Sequence, residues 1–173
     1  MLFWILVSIL TLACSTQKPV WCEKSNYQVY PDRLSASGKA LSPVNKAESK
    51  LLAEKRARDN LVKLMKEKID IIIQKWKKKS NLYHPFREKD FLENFLSTER
   101  MGAEVMQYYE DSKTGMVYCL VSRRLEQFFH QLRTQAILYI SKKGKLSKQE
   151  EILWDQTMKE IIAEMEREHK KTD

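Results

Sequence analysis

The chain has 173 residues and 20.5 kDa, 43% apolar and 31% charged, which is room for one domain with a modest core. Four Gly and four Pro exclude a sandwich or barrel built of many tight turns and favour a helix-rich or α+β chain. The net charge of +8 is polarised, with 12 Lys/Arg against 5 Asp/Glu from Lys46 to Lys79 and 5 against 8 from Ser147 to Asp173, so it does not by itself mark a nucleic-acid binder.

Leu2 to Leu12 is an apolar run of 11 residues, broken by Ser8 and Thr11 and followed by Ala13 and Cys14. It is too short to span a bilayer, which takes ~20 apolar residues, and suits the core of a cleaved export signal. Leu10-Thr11-Leu12-Ala13-Cys14 resembles the lipobox of bacterial lipoproteins, where a peptidase cuts before a cysteine already carrying diacylglycerol. On this reading residues 1–13 are a signal peptide, Cys14 is the lipid attachment site and residues 14–31 are a lipidated tether. Acyl chains there would hold firmly, since each buried methylene adds ~0.8 kcal/mol. An uncleaved signal anchor and an ordinary secretory signal are the alternatives. Export leaves Cys22 and Cys119 either as a disulfide or as two unpaired thiols.

Residues 32–141 read as an α+β domain and 142–173 as a C-terminal amphipathic helix. Arg33 to Lys39 is short and rich in small residues, a strand in which Gly38 suggests a bulge or a close approach of another backbone. Ser42-Pro43 supplies a capping hydroxyl and a proline at the first helical position, so a helix is expected from Ser42 to about Lys79. Val44, Ala47, Leu51, Leu61, Val62, Met65, Ile69, Ile72 and Trp76 recur at helical steps as its buried stripe. Glu54 and Arg58, one turn apart, are the only charges inside it, which predicts a buried ion pair facing a sheet. The alternative keeps the arginine head wet, with its stem on the sheet edge.

Tyr83-His84-Pro85 marks a loop, and a short helix follows from Glu88 to Leu96 with Phe91, Leu92 and Phe95 as contacts. Gly102 to Tyr109 and Met116 to Ser122 form a hairpin whose turn ends in Gly115. Alternation puts Met116, Tyr118 and Leu120 on one face and Val117, Cys119 and Val121 on the other; one face is expected on the long helix and the other under a later helix. Arg123 to Ile140 is a helix with the stripe Leu125, Phe128, Phe129, Leu132, Ala136 and Tyr139. A last helix, Lys148 to about His169, carries Ile152, Leu153, Ile161, Ile162 and Met165, and its acidic residues would either dock on the basic long helix or leave that face open to an anionic partner such as lipid head groups.

Three pieces stand in one order: Ala36-Ser37-Gly38, the alanine-spaced Ala47-Glu48 through Ala53-Glu54-Lys55-Arg56-Ala57-Arg58-Asp59-Asn60-Leu61, and Val117-Tyr118-Cys119-Leu120-Val121. Over roughly residues 33–122 this resembles the Lpp-twenty lipoprotein family of small bacterial envelope lipoproteins. The resemblance implies an α+β fold in which a long helix lies on a small antiparallel sheet, with additional helices C-terminal to it here. It implies no catalytic residues and no cofactor. Relatives include a flagellar outer-membrane lipoprotein that builds a disk around the motor, so a structural or interaction role in the envelope, with a protein partner there, is the expectation.

The residues offer little chemistry beside that. His84, His130 and His169 do not stand at metal-ligand spacing with another His, Cys or paired carboxylate. Cys119 falls mid-strand with no helix N-terminus aimed at it, so a structural thiol is the expectation and a nucleophile paired with His130 is not. An exported basic module for a polyanion is the second expectation, weakened because Lys50, Lys55, Arg56, Lys63, Lys66, Lys68, Lys75 and Lys77 to Lys79 spread around the helix instead of lining one groove.

Overall fold

The computed structural model describes residues 17–23, 30–41 and 45–169; Cys14 and Ser42-Pro43-Val44 lie outside them. The fold is α+β, in the order β1 (Arg33–Ala40), α1 (Lys46–Lys79), α2 (Lys89–Met101), β2 (Glu104–Glu110), β3 (Val117–Arg124), α3 (Leu125–Lys143) and α4 (Lys148–His169). The strands form one antiparallel sheet in the order β1-β3-β2, with Gly38 opposite Cys119 and Tyr109 opposite Tyr118. A register shift between Val105 and Gln107 marks an irregularity in the edge strand β2.

The helix begins later than Ser42. Asn45 is extended, and its side-chain oxygen accepts the Glu48 amide at 2.8 Å, so asparagine fills the role the sequence suggested for serine. From there α1 runs 34 residues, about 51 Å at ~1.5 Å per residue. Its first half rides on the sheet through Ser49, Ala53 and Ala57, facing Ala36, Gly38 and Ala40. The second half extends past the strands, where Leu61, Met65, Ile69, Ile72 and Trp76 are covered by helices. This corrects the expected stripe in its N-terminal part: Leu51 is 69% exposed and Ala47 is exposed. The reason is at Gly38, where a Cβ would stand 2.3 Å from the Ala57 nitrogen and 2.4 Å from the Ala53 oxygen. Two backbones this close leave room only for small side chains between them.

A 3-10 turn, Pro85–Arg87, precedes α2, whose Phe91, Phe95 and Leu96 are buried. Gly144, with φ 59°, ends α3 in the left-handed conformation, its amide reaching Ile140 and Ser141 carbonyls. The helix that follows is not a separate unit. Trp154, Met158, Ile161 and Met165 of α4 lie in the same core as α1, whereas Ile152 and Leu153 are 60% and 52% exposed. Trp154 sits 5.2 Å from Trp76 and 6.2 Å from Phe86, ring centre to ring centre, distances at which tilted aromatic pairs attract.

Candidate functional site

The sheet has two covered faces, and they are covered differently. Val117, Cys119 and Val121 join the core under α1. Tyr118 and Leu120 pack instead with Trp21 and Cys22, flanked by Tyr30, Met106, Tyr109 and Met116. The cover expected from a later helix is thus supplied by residues that precede the domain. A 3-10 turn, Val20–Cys22, presents them; it is closed by the Cys22 amide on the Pro19 carbonyl at 3.0 Å and the Glu23 amide on Val20 at 3.1 Å. Just before it, the Lys18 ammonium stands 4.8 Å from the Tyr118 ring centre, a cation–π contact. Residues assigned to a tether therefore include a turn stapled to the sheet.

Cys22 and Cys119 are both free and buried, each in a different cluster, so the disulfide alternative is not realised. A strand projects alternate side chains to opposite faces, which separates Cys119 from the face where Cys22 lies. Burial pushes both thiols up to about 11, away from the thiolate that nucleophilic or redox chemistry needs.

Glu54 and Arg58 do form an ion pair, with the Arg58 Nε donating to Glu54 at 2.9 Å. It lies at the β2 side and not in the buried stripe, with the side chains 26% and 18% exposed respectively. Arg58 also donates to the carbonyls of Arg100 and Ala103 at 2.7 and 2.9 Å, and the Tyr108 hydroxyl donates to Glu54 at 2.9 Å. Burial pushes the Glu54 carboxyl up, but the Tyr108 hydroxyl and the Arg58 guanidinium together hold it below the ordinary carboxylate value. A second arginine completes the arrangement. Arg123 donates to the buried Glu99 at 2.7 Å and to the Gly102 carbonyl at 3.3 Å. Two guanidiniums thus hold the end of α2 and the entry to β2, where helix carbonyls would otherwise lack partners. This is a structural knot, found only with the fold in view, since nothing local pairs Arg58 with residues 100 and 103.

The basic surface of α1 is partly spoken for. Lys75 donates to Glu164 and Glu168 at 2.7 and 2.9 Å, and Lys79 pairs with Glu164 at 3.1 Å, so α4 docks on α1 through charge as well as through its apolar stripe. The two lysines hold the Glu164 carboxyl down to about 2. Arg56 donates to the Lys39 carbonyl at 2.7 Å and Asn60 to Ser37 at 2.9 Å, capping outward carbonyls of the edge strand β1. Lys55, Lys66, Lys77 and Lys78 stay exposed.

His84 is packed between Trp76 and Phe86, His130 is exposed, and the side chain of His169 lies outside the described residues. Among the described residues no group of three His, Cys, Asp or Glu is placed to hold a metal, and no helix is long and apolar enough to cross a membrane. No protein-family model matches the chain, and a search of curated proteins found no match to it. The fold defines a class, an α+β domain with a long helix on a three-stranded antiparallel sheet.

The staple had a signal in the sequence: Val20-Trp21-Cys22 is an apolar triplet followed by the charged Glu23-Lys24, too close to the domain to be idle tether. So did α4, where Trp154, Met158, Ile161 and Met165 step by 4, 3 and 4 residues.

Proposed function

We propose that this protein is a non-catalytic lipoprotein of the bacterial envelope, anchored through Cys14 in the outer membrane and acting as a structural or interaction module. The observation that carries the reading is the Leu10-Thr11-Leu12-Ala13-Cys14 sequence closing an 11-residue apolar run, three residues before the first described residue. The order of small-residue strand, long helix and hairpin supports it, because that order is what the resemblance to the Lpp-twenty lipoproteins implied. The role would be to present a rigid helical surface to a protein partner in an envelope or flagellum-associated assembly. In cells fed labelled fatty acid, the wild-type chain takes up label and Cys14→Ala does not; equal labelling of the two would remove the anchor from this reading. Affinity capture from detergent-solubilised membranes then names the partner.

A further inference from the structure

If the chain is anchored at Cys14, the stapled turn determines which end of the domain meets the membrane. Followed backwards from Cys22, the chain passes Trp21 on the Leu120 and Tyr118 side chains and reaches Lys18 over the Tyr118 ring. Tyr118 is one residue from the end of β3 that borders the hairpin turn, Asp111 to Met116. Leu41 lies there too, its Cδ1 3.4 Å from where a Cβ on Gly115 would be, and it is 55% exposed. Lys46, at the start of α1, pairs with Glu110 at the same end. Two residues, Ser15 and Thr16, separate Cys14 from Gln17, and the three steps of chain between them reach at most about 11 Å.

We propose that this hairpin-tip end is the face the protein turns to the bilayer, with Lys18 and Lys113 on anionic phospholipid head groups and Leu41 against the interface, so that α1 stands away from the membrane. The inference rests on the anchoring reading above. Charge at the tip agrees with it. Of the acidic groups near the tip, Glu110 is engaged by Lys46 and the Asp111 carboxylate by the amides of Lys113 and Thr114 at 2.9 and 3.4 Å, while the Lys113 side chain is exposed. The remote end of α1, with Lys77, Lys78 and the docked α4, is then carried about 50 Å from the tip, at ~1.5 Å per residue.

The test uses the acylated full chain in vesicles of phosphatidylethanolamine and phosphatidylglycerol that contain a lipid with nickel chelated at its head group. Spin labels are placed through Lys113→Cys or Lys78→Cys. Cys22 and Cys119 are buried, so labelling of the introduced thiol is selective. Nickel should speed relaxation of the label at position 113 several-fold more than at position 78. Adding Trp21→Ala, which removes the staple, together with Cys22→Ser, so that the freed turn exposes no second thiol, should narrow that difference while the helical circular dichroism is retained. Equal relaxation at the two positions, or a faster rate at 78, overturns the proposal. So does a difference that survives Trp21→Ala undiminished, since the turn would then not set the orientation. Mass spectrometry of the same preparation separates the two readings: absence of acyl mass on Cys14 removes the anchor and the orientation together, whereas an acylated protein with no positional difference removes the orientation alone.

Discussion

The two halves of α1 belong to one uninterrupted helix and are packed by opposite means. Over β1 the helix shows Ser49, Ala53 and Ala57 to Ala36, Gly38 and Ala40, so that backbone meets backbone. Beyond the strands it shows Leu61, Met65, Ile69, Ile72 and Trp76 toward α2 and α4, with Trp76 also against His84 in the loop before α2. The first half is held by closeness, where many weak dispersion contacts accumulate over small groups, and the second by apolar area. Closeness tolerates no added atoms, whereas area tolerates no removed ones. The difference teaches that burial and hydrophobicity are separate properties, since the most buried positions of the first half carry some of the smallest side chains in the protein.

Enlarging the sheet-side contact is the most damaging way to break this asymmetry. Gly38→Val should cost more than about 3 kcal/mol in urea unfolding, or prevent folding outright, because the atoms in the way are helix backbone and cannot rotate aside. A Gly38→Ala protein with an unchanged midpoint would show that the helix does not ride on the strand.

On the helical side the opposite change matters. Trp76→Ala should cost about 3–5 kcal/mol by leaving a cavity against Trp154 and freeing the Leu82 carbonyl that its indole N–H now reaches at 3.1 Å. Leu51→Ala, at a position 69% exposed, should stay within about 0.5 kcal/mol. If the two substitutions proved equal, the division of the helix drawn here would be wrong.

A smaller effect is expected where the halves meet the α2–β2 junction. Arg58→Ala removes the donor to the Arg100 and Ala103 carbonyls and should cost about 1–3 kcal/mol, against nearly nothing for the exposed Lys63→Ala. Equal melting temperatures for those two variants would mean that water replaces the guanidinium without loss.

The smallest effect is a pH dependence confined to the helical side. Burial beside Trp76 and Phe86, with Arg87 and Lys77 adding like charge, holds the His84 imidazole below its ordinary value of 6.5. The folded state then binds fewer protons than the unfolded chain, so this contribution is complete above the ordinary imidazole value and is lost as pH falls through the folded one. Thermal melts should show wild type losing stability on mild acidification more steeply than His84→Gln. Parallel curves would place the acid sensitivity among the carboxylates instead.

Element order and type were legible in the residues because periodicity is a local property. Strand β1, the hairpin and the ranges of α3 and α4 follow from it within a few residues. What misled was the assumption that the greasiest residues of a helix are the buried ones. Leu51, Ile152 and Leu153 are exposed, while Ser49 is buried. The expected pair Glu54–Arg58 forms, but its important partners are carbonyls 42 and 45 residues away in sequence.

The sequence by itself determined the α+β order and the long helix, since each depends on spacing within one short stretch. Only the tertiary structure decided which side of α1 is buried over the sheet, what covers the Tyr118 and Leu120 face, and that Cys22 and Cys119 stay apart. Those outcomes depend on how closely two backbones approach and on which distant segment reaches a surface first, and neither distance is encoded in the spacing of residues along one element.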